Sequence, residues 1–269
     1  MVSKTLSIPK GNRFTYYYPK TSISQTVPTK CASPKDGKLR YKEPAKFVAV
    51  NFKEAKNVPF GSAGLLLTHS EISRAHVVRA AMECGYGRED LWTANLAMAP
   101  NEAAHLKKYL LTRLDIVTKC VKLQTNGAWG MRQFYRHIEA SEKAALSFIL
   151  GGFGAYLAAR QWLMAGGDNV KFFLHTGLYT KASVNPVEFS CKGKSPDFLV
   201  ESGSKQWHVF ESKGGAIKSR WARIVEGLGQ LGDLPKICWS GGTPKNVETA
   251  VCVHASVDAG CALQLTAVD

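Results

Sequence analysis

The sequence predicts an α/β protein whose mixed central sheet is flanked by helices. Three observations carry that reading. A long apolar helical pattern covers residues 131–165. Strand-like runs follow at 170–180, 187–191, 195–201 and 206–212. A second helical pattern at 219–232 then precedes a strand at 247–256 and a last short run at 261–267. One helix, several strands, one helix and a further strand is the order expected of a sheet covered by helices. With 269 residues the chain suits one large domain or two small ones and can bury a sizeable core.

The elements before residue 131 divide into two regions. Residues 1–60 carry six prolines, which break any long helix. Short strands are expected at 13–18 and 46–52; in the second, Val48, Val50 and Phe52 alternate onto one face. This region reads as a basic, loop-rich arm or a small β lobe. Residues 61–130 read as helical. Thr68 and Glu71 have capping-box spacing, Ile72, Ala75, Val78 and Met82 recur at helical steps, and Gly85 stops the run. A second helix is expected after Pro100, with Leu106, Leu110, Leu114 and Val117 as its stripe, and Asn126-Gly127 marks a turn. Residues 131–269 form the α/β unit.

Composition bounds the partners. Hydrophobic residues make up 45% and charged residues 21%, which excludes wholesale disorder and a fibrous rod. The net charge is +14, and +9 of it lies in residues 1–60. Such an excess points to nucleic acid or an anionic membrane surface. The seven cysteines are widely spaced with no C-x-x-C pair, as expected of reduced thiols in a cytoplasmic protein. The opening residues lead into no apolar run. The sixteen-residue apolar stretch 144–159 is shorter than the roughly 20 residues of a membrane span, so a buried core helix is expected there. Gly151, Gly152 and Gly154 within it lack a phosphate-loop pattern and suit close helix–sheet packing.

The most informative stretch runs from Ser195 to Lys213. Ser202-Gly203-Ser204-Lys205 is a turn signal between two hydrophobic runs, so a β-hairpin is expected. A hairpin symmetric about Ser204 sets Phe198 opposite Phe210 and Asp197 opposite Glu211. Alternation then places Asp197, Leu199, Val209, Glu211 and Lys213 on one face. Two opposed carboxylates repel each other, and something must offset that cost. A divalent cation bridging both is one answer; an ion-pair cluster around Lys213 is the other. His208 falls on the opposite face and reads as structural.

Pro196-Asp197, followed after a hairpin by Glu211-Ser212-Lys213, resembles the signature of the PD-(D/E)XK nuclease superfamily, with thirteen residues between the two acids. The α-β-β-β-α-β core of that restriction-endonuclease-like fold corresponds to residues 131–256. The resemblance implies that Asp197 and Glu211 bind Mg²⁺ or Mn²⁺ with the Ser212 carbonyl as a further ligand, and that Lys213 orients or activates the attacking water. It also implies a glutamate from the first core helix, for which Glu142 is preferred over Glu139 because it is in phase with Leu146, Ile149, Phe153 and Tyr156. In the second core helix some relatives place a glutamine or basic residue near the metal; Gln230, off the stripe Ile224, Leu228 and Leu231, is the candidate for that role, and a solvated helix face is the other reading of it. Lys218, Arg220 and Arg223 follow the signature and suit contacts with a phosphate backbone.

The function expected on this basis is metal-dependent hydrolysis of phosphodiester bonds, in DNA, in a setting such as defence against foreign DNA. Double-strand cutting would call for a homodimer or successive nicks, and a protein partner in a larger complex also fits. Two other readings stand beside it: a catalytically inactive nucleic-acid-binding protein of the same fold, and a membrane-associated interaction protein built around residues 144–165.

Overall fold

The computed structural model describes residues 13–19, 30–32, 39–41, 54–56, 70–71, 74–123, 129–191, 194–231, 236–261 and 263–268. Five short strands come first: β1 (Arg13–Pro19), β2 (Lys30–Ala32), β3 (Leu39–Tyr41), β4 (Glu54–Lys56) and β5 (Ser70–Glu71). Helices α1 (Arg74–Glu83), α2 (Glu89–Ala94) and α3 (Pro100–Cys120) follow. The hairpin β6 (Val121–Leu123) and β7 (Trp129–Met131) leads to the long helix α4 (Ala140–Ala165). Then come β8 (Val170–His175), α5 (Thr176–Tyr179), β9 (Val187–Phe189), β10 (Phe198–Ser202), β11 (Trp207–Gly215), α6 (Arg220–Leu231), β12 (Lys236–Trp239), β13 (Lys245–Ser256) and β14 (Gln264–Val268).

The main sheet runs β4-β1-β14-β13-β11-β10-β8 and is mixed. Strand β11 pairs parallel with β13 and antiparallel with β10, and β1 pairs parallel with β14. The molecule is therefore mixed α/β, as the element order predicts. The expected strand at 13–18 is thus an edge-side partner of the last strand. The expected strand at 46–52, residue Thr68 and the Asn126-Gly127 turn lie outside the described residues. Glu71 sits in β5, and α1 begins only at Arg74, so the capping-box reading does not describe the start of this helix. Gly85, with φ +79, does terminate it. Strand β12, too short for a clear periodic signal, has no counterpart in the sequence reading.

Helix α4 is apolar nearly all round, which suits a helix buried between other layers. Leu146, Leu150, Phe153, Tyr156 and Leu157 are buried in one core with Phe173, Phe198, Phe210 and Val253 of the sheet. Phe173 packs its ring 5.3 Å from Tyr156 and 4.7 Å from Phe198. The same core contains Val77, Leu114 and Val117 of α1 and α3, so residues on both sides of position 130 share it. The Tyr156 hydroxyl donates to Glu83 at 2.8 Å and ties α4 to α1. A Cβ on Gly151 would meet the Ser212 hydroxyl, and one on Gly152 would meet Cys84, so these glycines let α4 lie close to β11 and α1. The opposite face of the sheet holds a second core, in which Leu199 and Val209 pack with Ile224 and Leu231 of α6.

Among the described residues no helix is long and apolar enough to cross a membrane. Phe148, one turn before Gly152, is 69% exposed, whereas Phe153 is 5% exposed. The two phenylalanines of α4 therefore differ in what they support. Phe153→Asp buries an unpaired charge at a cost of several kcal/mol and unfolds the protein. Phe148→Asp leaves the melting temperature within about 2 °C of wild type. Thermal melts followed by circular dichroism check both expectations.

Candidate active site

The register of the β10–β11 hairpin is the one that symmetry about Ser204 predicts. Phe198 pairs with Phe210, Leu199 with Val209, and Val200 with His208. The turn closes with the Lys205 N–H donating to the Ser202 carbonyl at 2.9 Å, and the Ser204 N–H and hydroxyl both meet the Asp168 carboxylate. Pairing stops one residue short of the two acids, because Asp197 lies just before β10. Its N–H donates instead to the Glu211 carboxylate, Oε2, at 3.1 Å. The Ser212 N–H in turn donates to Asp197 Oδ2 at 2.9 Å. Each carboxylate is thus held by the backbone of the other acid's strand.

The N–H and C=O of one strand residue project to the same side. The Ser212 carbonyl therefore points to the side on which its N–H meets Asp197.

Glu211 is 1% exposed, and its Oε1 accepts from Lys213 Nζ at 2.7 Å. The same ammonium donates to Gln230 Oε1 at 3.0 Å. Gln230 lies on α6 one turn after Glu226, which pairs with Arg223 at 2.9 Å. Gly227 makes this approach possible. A Cβ there would run into Cys252, and would lie 3.2 Å from Glu211 Cγ and 3.2 Å from Lys213 Cε.

The electrostatics follow from two carboxylates beside one ammonium. Burial raises the Glu211 pKa above its ordinary 4.5, and the Asp197 charge raises it further, against the hydrogen bond and charge of Lys213. Burial alone would lower the Lys213 pKa, but the hydrogen bond and charge of Glu211 outweigh it and the ammonium is held more strongly. Lys213 is therefore a cation and a donor at neutral pH, not a base. Cys252, beneath the pair, has its thiol pKa raised by burial first and by the Glu211 charge next, so it stays protonated.

A cavity of about 770 Å³ opens beside this pair, with Asp197, Ser212, Lys213 and Arg223 on its wall. Helix α4 contributes Lys143 and Ser147, one turn apart, to the lining. Glu142 does not reach the site: it is exposed and lies off the cavity. The phase it shares with Leu146 and Phe153 is the phase that faces the sheet core, and one turn earlier that direction meets solvent. Glu139 is the N-cap of α4, where its carboxylate accepts from the Ser141 N–H at 2.6 Å. Lys218 is exposed outside the cavity, and Arg220 is buried and does not line it.

Two residues beside the site carried little or no signal. His175, at the end of β8, lines the cavity near Asp197. Its Nδ1 accepts from the Gly177 N–H at 3.2 Å, which puts the proton of the neutral ring on Nε2. Burial lowers its pKa, against the pull of Asp197, so the ring is neutral at pH 7. Its place in a strand-like run before the signature was the available clue. Arg113 of α3 also lines the cavity, and nothing in its local pattern marks it.

Among the described residues no three His, Cys, Asp or Glu side chains gather to hold a metal. The donors present are two carboxylates and a main-chain carbonyl, all hard oxygen ligands. That set fits Mg²⁺ or Mn²⁺, which take one or two carboxylates and keep several waters. Comparison with protein-family models, curated proteins and solved structures finds no match to this chain.

The raised Glu211 pKa fixes a sign. The folded chain binds that proton more tightly than the unfolded chain, so the contribution to stability is present below pH 4.5 and is lost as pH rises through the folded value. Glu211→Gln removes this loss. Its melting temperature in EDTA should therefore gain on wild type by a few degrees as pH rises from 4.5 to 7.5. A gap that shrinks with pH would show that the Lys213 ion pair dominates.

Proposed function

We propose that this chain is a metal-dependent nuclease of the PD-(D/E)XK type that hydrolyses phosphodiester bonds, with DNA as substrate. The observation that carries the reading is the reciprocal tie between Asp197 and Glu211, with Lys213 Nζ 2.7 Å from Glu211, on the wall of a cavity. The order α4, β8, β10, β11, α6, β13, with β9 and β12 interposed, supports it, because it resembles the α-β-β-β-α-β order expected of that superfamily. Five cationic and two acidic side chains line the cavity, which suits a polyanion. A cytoplasmic setting and a role against foreign DNA belong to the same proposal.

Asp197, Glu211 and the Ser212 carbonyl would hold the cation. When bound, it supplies Lewis-acid polarisation of the phosphate and a more acidic water. The chain's own residues do the rest. Lys213, fixed between Glu211 and Gln230, presents a permanent ammonium to the attacking water and to charge developing on the phosphate. Gln230 has no proton to give or take; it orients Lys213. Arg223 on the cavity wall binds a flanking phosphate. The buried Glu211–Lys213 pair keeps this geometry when solvent leaves, since neither charge depends on water for a partner.

Asp197→Ala and Glu211→Ala each lower DNA cleavage by at least about 10²-fold while leaving DNA binding near wild type, because they remove cation ligands and not phosphate contacts. Lys213→Ala also loses cleavage but weakens binding slightly. EDTA abolishes wild-type cleavage. A plasmid and oligonucleotide digestion assay with matched binding measurements tests the set. Cleavage that persists in EDTA, or full activity in Lys213→Ala, contradicts the proposal.

A further inference from the structure

Arg113 is 7% exposed and lies in the middle of α3. Its guanidinium sits over the rings of Tyr86 and Tyr109, 5.9 Å from each centroid. Among the described residues it makes no hydrogen bond and no ion pair. The other cations of the cavity are answered. Lys213 meets Glu211, Arg223 meets Glu226, Lys143 donates to the Arg136 carbonyl, and Arg136 donates to Gln133. A buried charge without a partner is costly, and two aromatic faces offset only part of that cost. The guanidinium nitrogens are not among the sealed, unpaired polar atoms, so they open onto the cavity that Arg113 lines. The arrangement is a cation waiting for an anion.

The same cavity holds a second unexplained side chain. Phe148 is 69% exposed on α4 and lines it. A planar apolar ring left in water beside a cluster of cations is what base stacking uses. The cavity volume of about 770 Å³ falls in the range of pockets that enclose one small ligand. An unpaired nucleotide can enter such a space, whereas a base pair held in its duplex cannot.

We propose that this cavity takes an unpaired nucleotide of a single strand, with Arg113 holding a backbone phosphate and Phe148 stacking on the base. The inference rests on the nuclease reading and narrows it to single-stranded DNA, or a strand opened before cutting. Arg113 is then a binding residue for the substrate, placed there by α3 and not by the signature motif.

The test is binding in EDTA, where no cleavage takes place. A fluorescein-labelled single-stranded oligonucleotide and the blunt duplex of the same sequence are titrated with the full chain at raised ionic strength, which suppresses exposed phosphate contacts more than buried ones. The single strand should bind at least tenfold more tightly than the duplex. Arg113→Met should weaken single-strand binding at least tenfold and Arg113→Lys should restore most of it, while Arg113→Met raises the melting temperature of the free protein. Phe148→Ala, an exposed position that does not endanger folding, should weaken the single strand several-fold and leave the duplex unchanged. Equal affinity for the duplex, or unchanged single-strand affinity in either Arg113→Met or Phe148→Ala, overturns the proposal. Should Arg113→Met fail to fold, the Phe148→Ala result decides. Cleavage with Mg²⁺ is read separately, so loss of the nuclease reading and loss of this inference give different results.

Discussion

Glu211 is a carboxylate sealed inside the sheet, and much of the structure around it is arranged to make that tolerable. An ionised group at 1% exposure needs each oxygen met by a donor. Lys213 meets one oxygen from two residues along the same strand, and the Asp197 N–H meets the other from the facing strand. The second of these bonds lies just beyond the end of the β10–β11 ladder, which closes at Phe198 and Phe210. The first draws in α6, which must supply Gln230 to Lys213 and must come close enough that only glycine fits at position 227. The packing of the second helix and the geometry of the site are therefore one constraint.

The parts of this arrangement that the sequence made legible are those set by local periodicity. Alternation and the Ser202–Lys205 turn were enough for the hairpin register, and with it the juxtaposition of Asp197 and Glu211. The apolar run before Arg160 identified α4 as a core helix, and its glycines as suited to close packing on the sheet; the approach of Gly152 to Cys84 was not legible. Gln230 comes only from the family resemblance, with a solvated helix face as the alternative; its contact with Lys213 is set by the packing of α6 on β11. What was not legible depends on where a helix ends relative to the sheet. Glu142 is in phase with the core stripe, yet it lies in the first turn of α4 and faces solvent. Phe148 looks like one more core residue of an apolar run, yet it meets the cavity. Arg113 is buried at 7% exposure against the Tyr86 and Tyr109 rings, and no pattern within α3 marks it.

The cavity joins the two kinds of information. One wall comes from the signature strands, where two acids and a lysine are tied together through backbone donors. The other comes from helices outside that signature, which bring cations and an exposed ring. Negative charge is concentrated at Asp197 and Glu211, and positive charge surrounds it. A phosphate approaching such a site is attracted by the rim and repelled by the pair, unless a cation lies between them. Burial first, and the Asp197 charge next, raise the Glu211 pKa. Charge balance thus links the chemistry proposed for the site to its burial.

The central claim is that Asp197 and Glu211 together hold a divalent cation. Titration of Mn²⁺ into the protein without DNA, with free Mn²⁺ read by electron paramagnetic resonance, tests it most directly. Wild type should bind Mn²⁺ saturably, Asp197→Asn and Glu211→Gln should each remove that binding, and Arg113→Lys should retain it. Undiminished Mn²⁺ binding in both carboxylate variants would contradict it.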